Sequence, residues 1–284
     1  MQLQGKEIVV TGGTDGIGKV AAGELAKAGA SITIVGRDAA KGEAVVGELR
    51  ELAGHDHVGF IRGDLSAQAD VRAAAEALKA RLKRIDVLLN NAGAFFQSRE
   101  LSPDGIEKTF ALNHLGYFLM TALLLDRLKG STPARIVNVA SGAHVGGKLD
   151  FDDLQNAKAY SGWRAYQQSK LANIYFTYEL ARRVEGTGVT ANCLHPGFVA
   201  TRFGNNNAGW LSAVFGVAKS LLAKSEADGA KTSIYLAGSP EVATVSGKYF
   251  DECKAVRSSP VSYDEKAARE LWRVSEKVVG LPAT

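Results

Sequence analysis

A doubly wound α/β fold, with a parallel sheet of about seven strands in a single domain, is predicted by three features of this 284-residue sequence. Short apolar runs rich in β-branched residues recur along it. Longer segments with apolar residues at helical spacing separate those runs, and a glycine-rich turn joins the first run to the first helical segment. Strands that are apolar throughout must be covered on both faces; crossover helices achieve that and an antiparallel sandwich does not.

The strands are read at Glu7 to Val10, Ser31 to Val35, Val58 to Ile61, Asp86 to Leu89, Arg135 to Val139 and Val189 to Leu194. Val20, Leu25 and Ala28 recur on one helical face between the first two, and Val71, Ala74, Ala75, Leu78 and Leu82 do so before the fourth. The apolar stretch from Tyr117 to Leu125 is broken by Thr121 and ended by Asp126. It falls short of the roughly 20 residues that span a bilayer, so no transmembrane helix is expected. No repeat, charge block or proline-rich linker divides the chain, and one domain over residues 1–284 is the reading. Its least regular part, residues 196–225, holds GNNNAG and then Trp210, Leu211, Val214 and Phe215, and is expected to form a small substrate-binding flap.

Hydrophobic residues make up 46% and charged residues 23%, a globular balance that excludes disorder, collagen and coiled coil. The net charge of +4 is scattered and implies no nucleic-acid partner. Cys193 and Cys253 make neither a disulfide framework nor a metal cluster, so no metal is expected and a reducing compartment fits. The sequence opens on a strand without a signal peptide, and a cytoplasmic location is expected.

The turn after strand one reads TGGTDGIG, Thr11 to Gly18. A pyrophosphate needs backbone amides and a helix N-terminus brought close, which side chains at Gly12, Gly16 and Gly18 would obstruct. An isolated glycine set of this kind is otherwise a plain tight turn; its place directly after strand one favours the phosphate cradle, with Thr14, Asp15 and Ile17 inside it. Strand two ends in VGRD, where a dinucleotide fold reads the adenosine ribose. Arg37 can pair with a 2′-phosphate there and favours NADP(H) over NAD(H), although a solvated arginine is the plain alternative and the charge of Asp15 opposes a phosphate.

Strand three leads into GDL and strand four into NNAG. Asp64, beside Leu65, suits an adenine amino group, or else an N-cap of the next helix. Asn91, Ala92 and Gly93 suit close approach of backbone to a ribose, while turn bonding to local backbone is the plain reading of Asn90 and Asn91. All of these lie at the carboxyl ends of parallel strands, where open α/β sheets bind ligands.

Strand five ends in NVASGAH, which places Ser141 at the same edge, and YQQSK puts Tyr166 and Lys170 one helical turn apart. Such a pair means little alone, since chance supplies about 0.5 of one in a chain of this composition. Its meaning comes from order. A phenol titrates near 10 when unperturbed, and Lys170 together with an oxidised nicotinamide can stabilise its anion. Tyr166 would then act as acid and base while Ser141 donates to the substrate oxygen.

The ordered set TGGTDGIG, GDL, NNAG, Asn113, Ser141, YQQSK and HPG resembles the short-chain dehydrogenase/reductase superfamily of classical type, over nearly the whole chain. The resemblance implies a Rossmann-type sheet and transfer of the pro-S hydride of the nicotinamide. It implies that Asn113, by holding a helix distortion and a water, joins Lys170 to a proton path. It also implies that Pro196 and Gly197 meet the nicotinamide carboxamide with backbone, followed by Val199 and Thr201. His195, with no motif role as proton carrier, is read as a packed or hydrogen-bonded loop residue.

NHLGYFLMTALLLDRL, YQQSKLANIYFTYELARR, HPGFVATRF and GKYFDECKAVRSSP through ARELW are similar to the retinol dehydrogenase and WW-domain oxidoreductase branch. That likeness implies NADP and an apolar alcohol or carbonyl, although an N-terminal membrane anchor like that of many branch members is not expected here. Phe203, Trp210, Leu211 and Phe215 suit an apolar substrate pocket, packing on the core, or a subunit contact in a homo-oligomer. The expected function is reversible carbonyl/alcohol oxidoreduction with NADP(H) on a hydrophobic small molecule. Reduction of a carbon–carbon double bond, or a dinucleotide-binding sensor without turnover, are the alternatives.

Overall fold

Six β-branched or aromatic-rich strands of four to seven residues follow the expected order with boundaries shifted by a residue or so, in a computed structural model that describes residues 1–197 and 225–284. They are β1 (Glu7–Thr11), β2 (Ser31–Gly36), β3 (Val58–Arg62), β4 (Val87–Asn90) and β5 (Ala134–Val139), and β6 (Val189–His195) completes the expected set. Two short strands extend it, β7 (Tyr249–Asp251) and β8 (Lys254–Val256). The sheet order is β3-β2-β1-β4-β5-β6-β7-β8, parallel except for the antiparallel pair β7 and β8. About seven strands were expected and eight are present among the described residues. The turn between β7 and β8 uses Glu252 and Cys253, both at positive φ, a pairing for which the sequence carries no Gly or Asn signal.

Seven main helices cover the two faces among the described residues: α1 (Gly16–Lys27), α2 (Ala39–Ala53), α3 (Gln68–Arg81), α4, α5 (Gly162–Arg183), α6 (Glu226–Gly238) and α7 (Glu265–Val278). Helix α4 starts at Lys108–Phe110, widens into a π-turn over Ala111–Leu115 and continues over Gly116–Lys129. One face carries a core in which Val20 and Leu25 of α1 and Val45 and Leu49 of α2 meet Ile8, Val10 and Ile34 of the sheet. The other carries Val71 and Leu78 of α3, Phe118 and Leu124 of α4, Phe176 of α5 and Leu271 and Trp272 of α7. Polar N-caps start the helices cleanly: Asp15, Asp38, Ser161, Ser225 and Asp264 each accept from a first-turn amide.

The apolar stretch at Tyr117 to Leu125 is interior, in α4, and among the described residues no helix is long and apolar enough to cross a membrane. The order reverses between β1 and β4, so their carboxyl ends diverge and open a crevice at that point. Most of the expected flap, residues 198–224, lies outside the described residues, and with it Val199, Thr201, Phe203, Trp210, Leu211 and Phe215.

Candidate active site

The crevice is built first from backbone. Thr11 ends β1 with a buried hydroxyl that accepts from the amides of Asn91 at 3.0 Å and Ala92 at 3.2 Å, fastening the end of β1 to that of β4. The Asn91 side chain donates back to the Thr11 and Gly12 carbonyls at 3.1 and 3.2 Å. Gly12 stands at φ +66°, and a Cβ on it would come within 2.7 Å of the Ala92 Cα. A Cβ on Gly18 would strike the Asn91 amide and the Gly12 carbonyl. These positions therefore require glycine, and the turn they permit leads straight into the N-terminus of α1, which holds no acidic residue in its first turn. Backbone amides and helix dipole there suit a pyrophosphate, so the residues present fit a dinucleotide. Ile17 packs partly into the core beneath the turn, while Asp15 caps α1 by accepting from Gly16 N at 3.0 Å. Thr11 was absent from the candidates; a hydroxyl closing an apolar strand, which must find partners once buried, is the signal that marks it.

At the end of β2, Arg37 is exposed just beyond the strand, and Gly36 presses against Thr14 so closely that a Cβ would sit 2.8 Å from its methyl carbon. Asp64 Oδ1 accepts from the Ser66 amide at 2.9 Å and its hydroxyl at 2.8 Å. That is a local turn and not an N-cap of α3, whose cap position is Ala67 without a side-chain bond. Leu65 buries its side chain in the core, with its carbonyl against Gly116. Asn90 does not bond its local backbone: its side-chain amide donates to the Thr121 hydroxyl and to Asn138 Oδ1, both at 2.9 Å. Asn138 in turn donates to Thr177 at 3.0 Å, so a buried polar ladder crosses the sheet beneath the crevice.

The candidate chemistry gathers at the ends of β4 and β5. Helix α5 places Tyr166 and Lys170 one turn apart, 7% and 4% exposed, with the Lys170 Nζ 5.7 Å from the centre of the phenol ring. Lys170 donates to the Val139 carbonyl at 3.0 Å, and burial lowers its ammonium to about 7. Burial pushes the Tyr166 phenol up to about 12, while a hydrogen bond with Ser141 pulls in the other direction. A Cβ on Gly93 would lie 3.2 Å from Asn113 Oδ1 and 3.5 Å from Lys170 Nζ, so NNAG closes against both. Asn113 occupies the π-turn of α4. Its Oδ1 accepts from Ala94 N at 2.9 Å, and its Nδ2 donates to the Ala94 carbonyl at 3.0 Å and to the Ser169 hydroxyl at 3.1 Å.

Ser141 opens a short 3₁₀ turn, Gly142–Gly146, and accepts from Ala143 N at 3.2 Å. Two histidines hold this turn. His195 Nδ1 accepts from Gly142 N at 3.0 Å, so the residue is hydrogen-bonded as expected, but it is the last residue of β6, paired with Asp251 of β7, and not a loop residue. His144, not among the candidates, sits 2.6 Å from the Ser141 carbonyl through Nδ1 and accepts from Ser259 N at 3.0 Å through Nε2. The second bond leaves the proton on Nδ1, and burial lowers the His144 pKa, so the ring is held neutral. Apolar groups flank the phenol: Phe95 meets its ring edge-on at 6.1 Å, Trp163 lies at 6.0 Å and is 54% exposed, and Val145 stands 69% exposed on the Ser141 turn. Pro196 and Gly197 follow β6, Gly197 at φ +83°. A cleft of about 640 Å³ lined by Tyr178, Arg182, Glu185 and Thr190 opens by the start of β6, away from all of these residues.

Comparison with known proteins bears on this arrangement. The family model for short chain dehydrogenase matches residues 6–211. Mouse retinol dehydrogenase 12 is 43% identical over 281 residues, covering 99% of this chain and 88% of that protein. Human retinol dehydrogenase 13 is 43% identical over 286 residues, covering 99% and 86%. Among solved structures, an uncharacterised protein from Mycobacterium paratuberculosis superposes with a TM-score of 0.80 at 33% identity, covering 99% of this chain and 97% of that one. The Pseudomonas aeruginosa RhlG/NADP active-site complex gives 0.70 at 29% identity, over 88% and 95%.

Proposed function

This chain belongs to the short-chain dehydrogenase family, and from that premise we propose that it is an NADP(H)-dependent oxidoreductase interconverting a carbonyl and an alcohol on a hydrophobic small molecule. The observation that carries the reading is the meeting of Tyr166, Ser141 and Lys170 at the same sheet edge as the glycine cradle. The chain holds no group of its own that transfers hydride, and a nicotinamide supplies that chemistry when bound.

In carbonyl reduction, the Ser141 hydroxyl donates to the substrate oxygen and holds it beside the Tyr166 hydroxyl, which gives up its proton. Burial keeps the phenol protonated at neutral pH, ready to act as the acid. Lys170, close to the phenol ring, offsets the negative charge that develops there when its ammonium is protonated. Asn113, through Ser169 and Ala94, positions the helix turn that backs Lys170. Alcohol oxidation runs the same proton transfers in reverse.

The exposed Arg37 supports NADP, as do related structures described as complexes with NADP, from Pseudomonas aeruginosa and Burkholderia cenocepacia. Phe95, Trp163 and Val145 support an apolar substrate, in keeping with the retinol dehydrogenases it is similar to. The free cysteines suit a reducing, cytoplasmic setting. The test is oxidation of NADPH with a panel of hydrophobic aldehydes and ketones, with product identification. Alcohols are expected. A saturated carbonyl product would point instead to double-bond reduction, and cofactor binding without turnover across the panel would point to a sensor.

A further inference from the structure

We propose that His144 is a positioning residue for the carbonyl/alcohol chemistry: its imidazole sets the Ser141–Gly142 peptide, and with it the aim of the Ser141 hydroxyl, relative to the helix that carries Tyr166. The inference rests on the reading of Ser141 and Tyr166 above and adds a residue that acts only through Ser141.

One peptide unit is held at both ends. Its N–H, from Gly142, donates to His195 Nδ1 at 3.0 Å. Its carbonyl, from Ser141, accepts from the His144 amide at 3.2 Å and, closer, from His144 Nδ1 at 2.6 Å. Gly142 admits this grip, since even a Cβ there would come 3.1 Å from His195 Nε2. The two rings need opposite tautomers. A backbone amide can only donate, so Gly142 N leaves His195 Nδ1 bare, while Ser259 N, 3.0 Å from His144 Nε2, leaves the His144 proton on Nδ1. Because the unit is planar and β5 holds the residues before it, the direction of the Ser141 side chain is fixed as well. Ser141 Oγ accepts from Ala143 N at 3.2 Å, and its own proton is left for the Tyr166 side, where it bonds the phenol.

The far side of His144 is anchored to α5. Ser259 belongs to a short turn fastened by hydroxyls: Ser258 Oγ meets Tyr178 OH at 2.7 Å and Ser262 Oγ at 2.6 Å, and Ser262 donates to the Ser259 carbonyl at 2.7 Å. Tyr175 OH donates to the Val261 carbonyl, also at 2.7 Å. Tyr175 and Tyr178 stand on the same continuous helix as Tyr166. A closed path therefore runs from Ser141 through His144, Ser259 and the two tyrosines back to the helix of the phenol.

Within that path His144 is a rigid spacer, a flat ring with a donor at one end and an acceptor at the other. It is buried, and the Tyr249 ring packs 5.0 Å away, which holds its rotamer. A misplacement of about 1 Å at a reacting centre can cost about 10²-fold in rate, so a slip of this turn against α5 matters far more to turnover than to folding.

The test is steady-state reduction of hydrophobic aldehydes by NADPH, with melting temperature and NADPH Kd, in wild type, His144→Leu, His144→Asn, His144→Gln, and Ser141→Ala with and without His144→Leu. The asparagine amide nitrogen can take the place of the Nδ1 donor, and the glutamine side-chain oxygen that of the Nε2 acceptor. His144→Leu should cut kcat at least about 10-fold and leave the NADPH Kd within about twofold of wild type. His144→Asn should recover most of that kcat while staying less heat-stable than wild type, and His144→Gln should recover stability without kcat. If leucine prevents folding, the contrast of asparagine with glutamine decides alone. A kcat that simply follows melting temperature across the variants overturns the proposal, as does a His144→Leu kcat within about twofold of wild type. In the Ser141→Ala background, His144→Leu should change kcat by less than about twofold, since no hydroxyl is left to aim; a full further loss would show the ring acting elsewhere and overturn it too. If wild type reduces no aldehyde, or Ser141→Ala keeps wild-type kcat, the reading of the site fails and this proposal with it. Failure of the histidine arms alone leaves that reading standing.

Discussion

Lys170 is the residue at which burial and chemistry conflict most. Its ammonium is lowered to about 7 by burial, whereas an unfolded lysine titrates at about 10. Between those limits the unfolded chain holds a proton that the native chain has released, so this group's contribution to stability rises with pH over that window. It is most unfavourable below about 7. Lys170→Met should therefore raise the melting temperature relative to wild type at pH 6, with the difference shrinking steadily toward pH 10. A difference independent of pH would remove the buried-charge account. At the other end of the crevice, Arg37→Asp should lower the ratio of NADPH to NADH affinity by at least about 10-fold, since a charge-assisted phosphate contact is replaced by repulsion. An unchanged ratio would take Arg37 out of the account. Tyr166, Lys170, Ser141 and the glycines were legible because residue type and order both constrain them. Thr11 and His144 were not, because their parts depend on neighbours 80 and 115 positions away.

The strands that form the crevice were legible as apolar runs, and the helices as periodic ones. The elements missed are those whose shape comes from tertiary contact. Three-residue β7 and β8 are too short for a periodic signal: β7 is placed by pairing with β6, and β8 by pairing with β7. The π-turn in α4 has no sequence periodicity of its own, since the extra residue is stabilised by Asn113 clasping both backbone groups of Ala94. Asn113→Leu would leave the Ala94 amide and carbonyl without those partners. It should cost about 2–4 kcal/mol by chemical denaturation, the sum expected for two stranded groups partly relaxed toward solvent. Thr11→Val makes the matching cut on the other side of the crevice, where the Asn91 and Ala92 amides lose their shared acceptor. About 1–3 kcal/mol of stability should go, together with a measurable weakening of NADPH binding, because the Gly12 turn is fastened through the same contacts. Full stability with weakened binding would show instead that Thr11 acts on the ligand directly.

Across the whole molecule, a mostly parallel sheet whose strand order reverses between β1 and β4 gathers the ends of β1, β2, β4 and β5 on one edge. The glycine turn, the Arg37 corner, NNAG and the Ser141 turn thus converge although the chain separates them widely. The polar ladder of Thr121, Asn90, Asn138 and Thr177 braces that edge from below, and the His144 link to Ser259 ties the Ser141 turn to the C-terminal region. Ligand binding at such a shared edge should stabilise the whole domain: NADPH at about 100 times its Kd is expected to add about 2.7 kcal/mol, seen as one upward-shifted thermal transition. Two transitions, only one of them shifted, would contradict a single cooperative unit. The account as a whole requires that the convergent edge place a transferable proton on Tyr166. The most direct measurement pairs turnover with NADPH affinity in Tyr166→Phe. Loss of the proton alone should cut kcat by about 10²- to 10⁴-fold while leaving the NADPH Kd within about threefold of wild type. Near-normal turnover in that variant would contradict the assignment of Tyr166 as the acid and base.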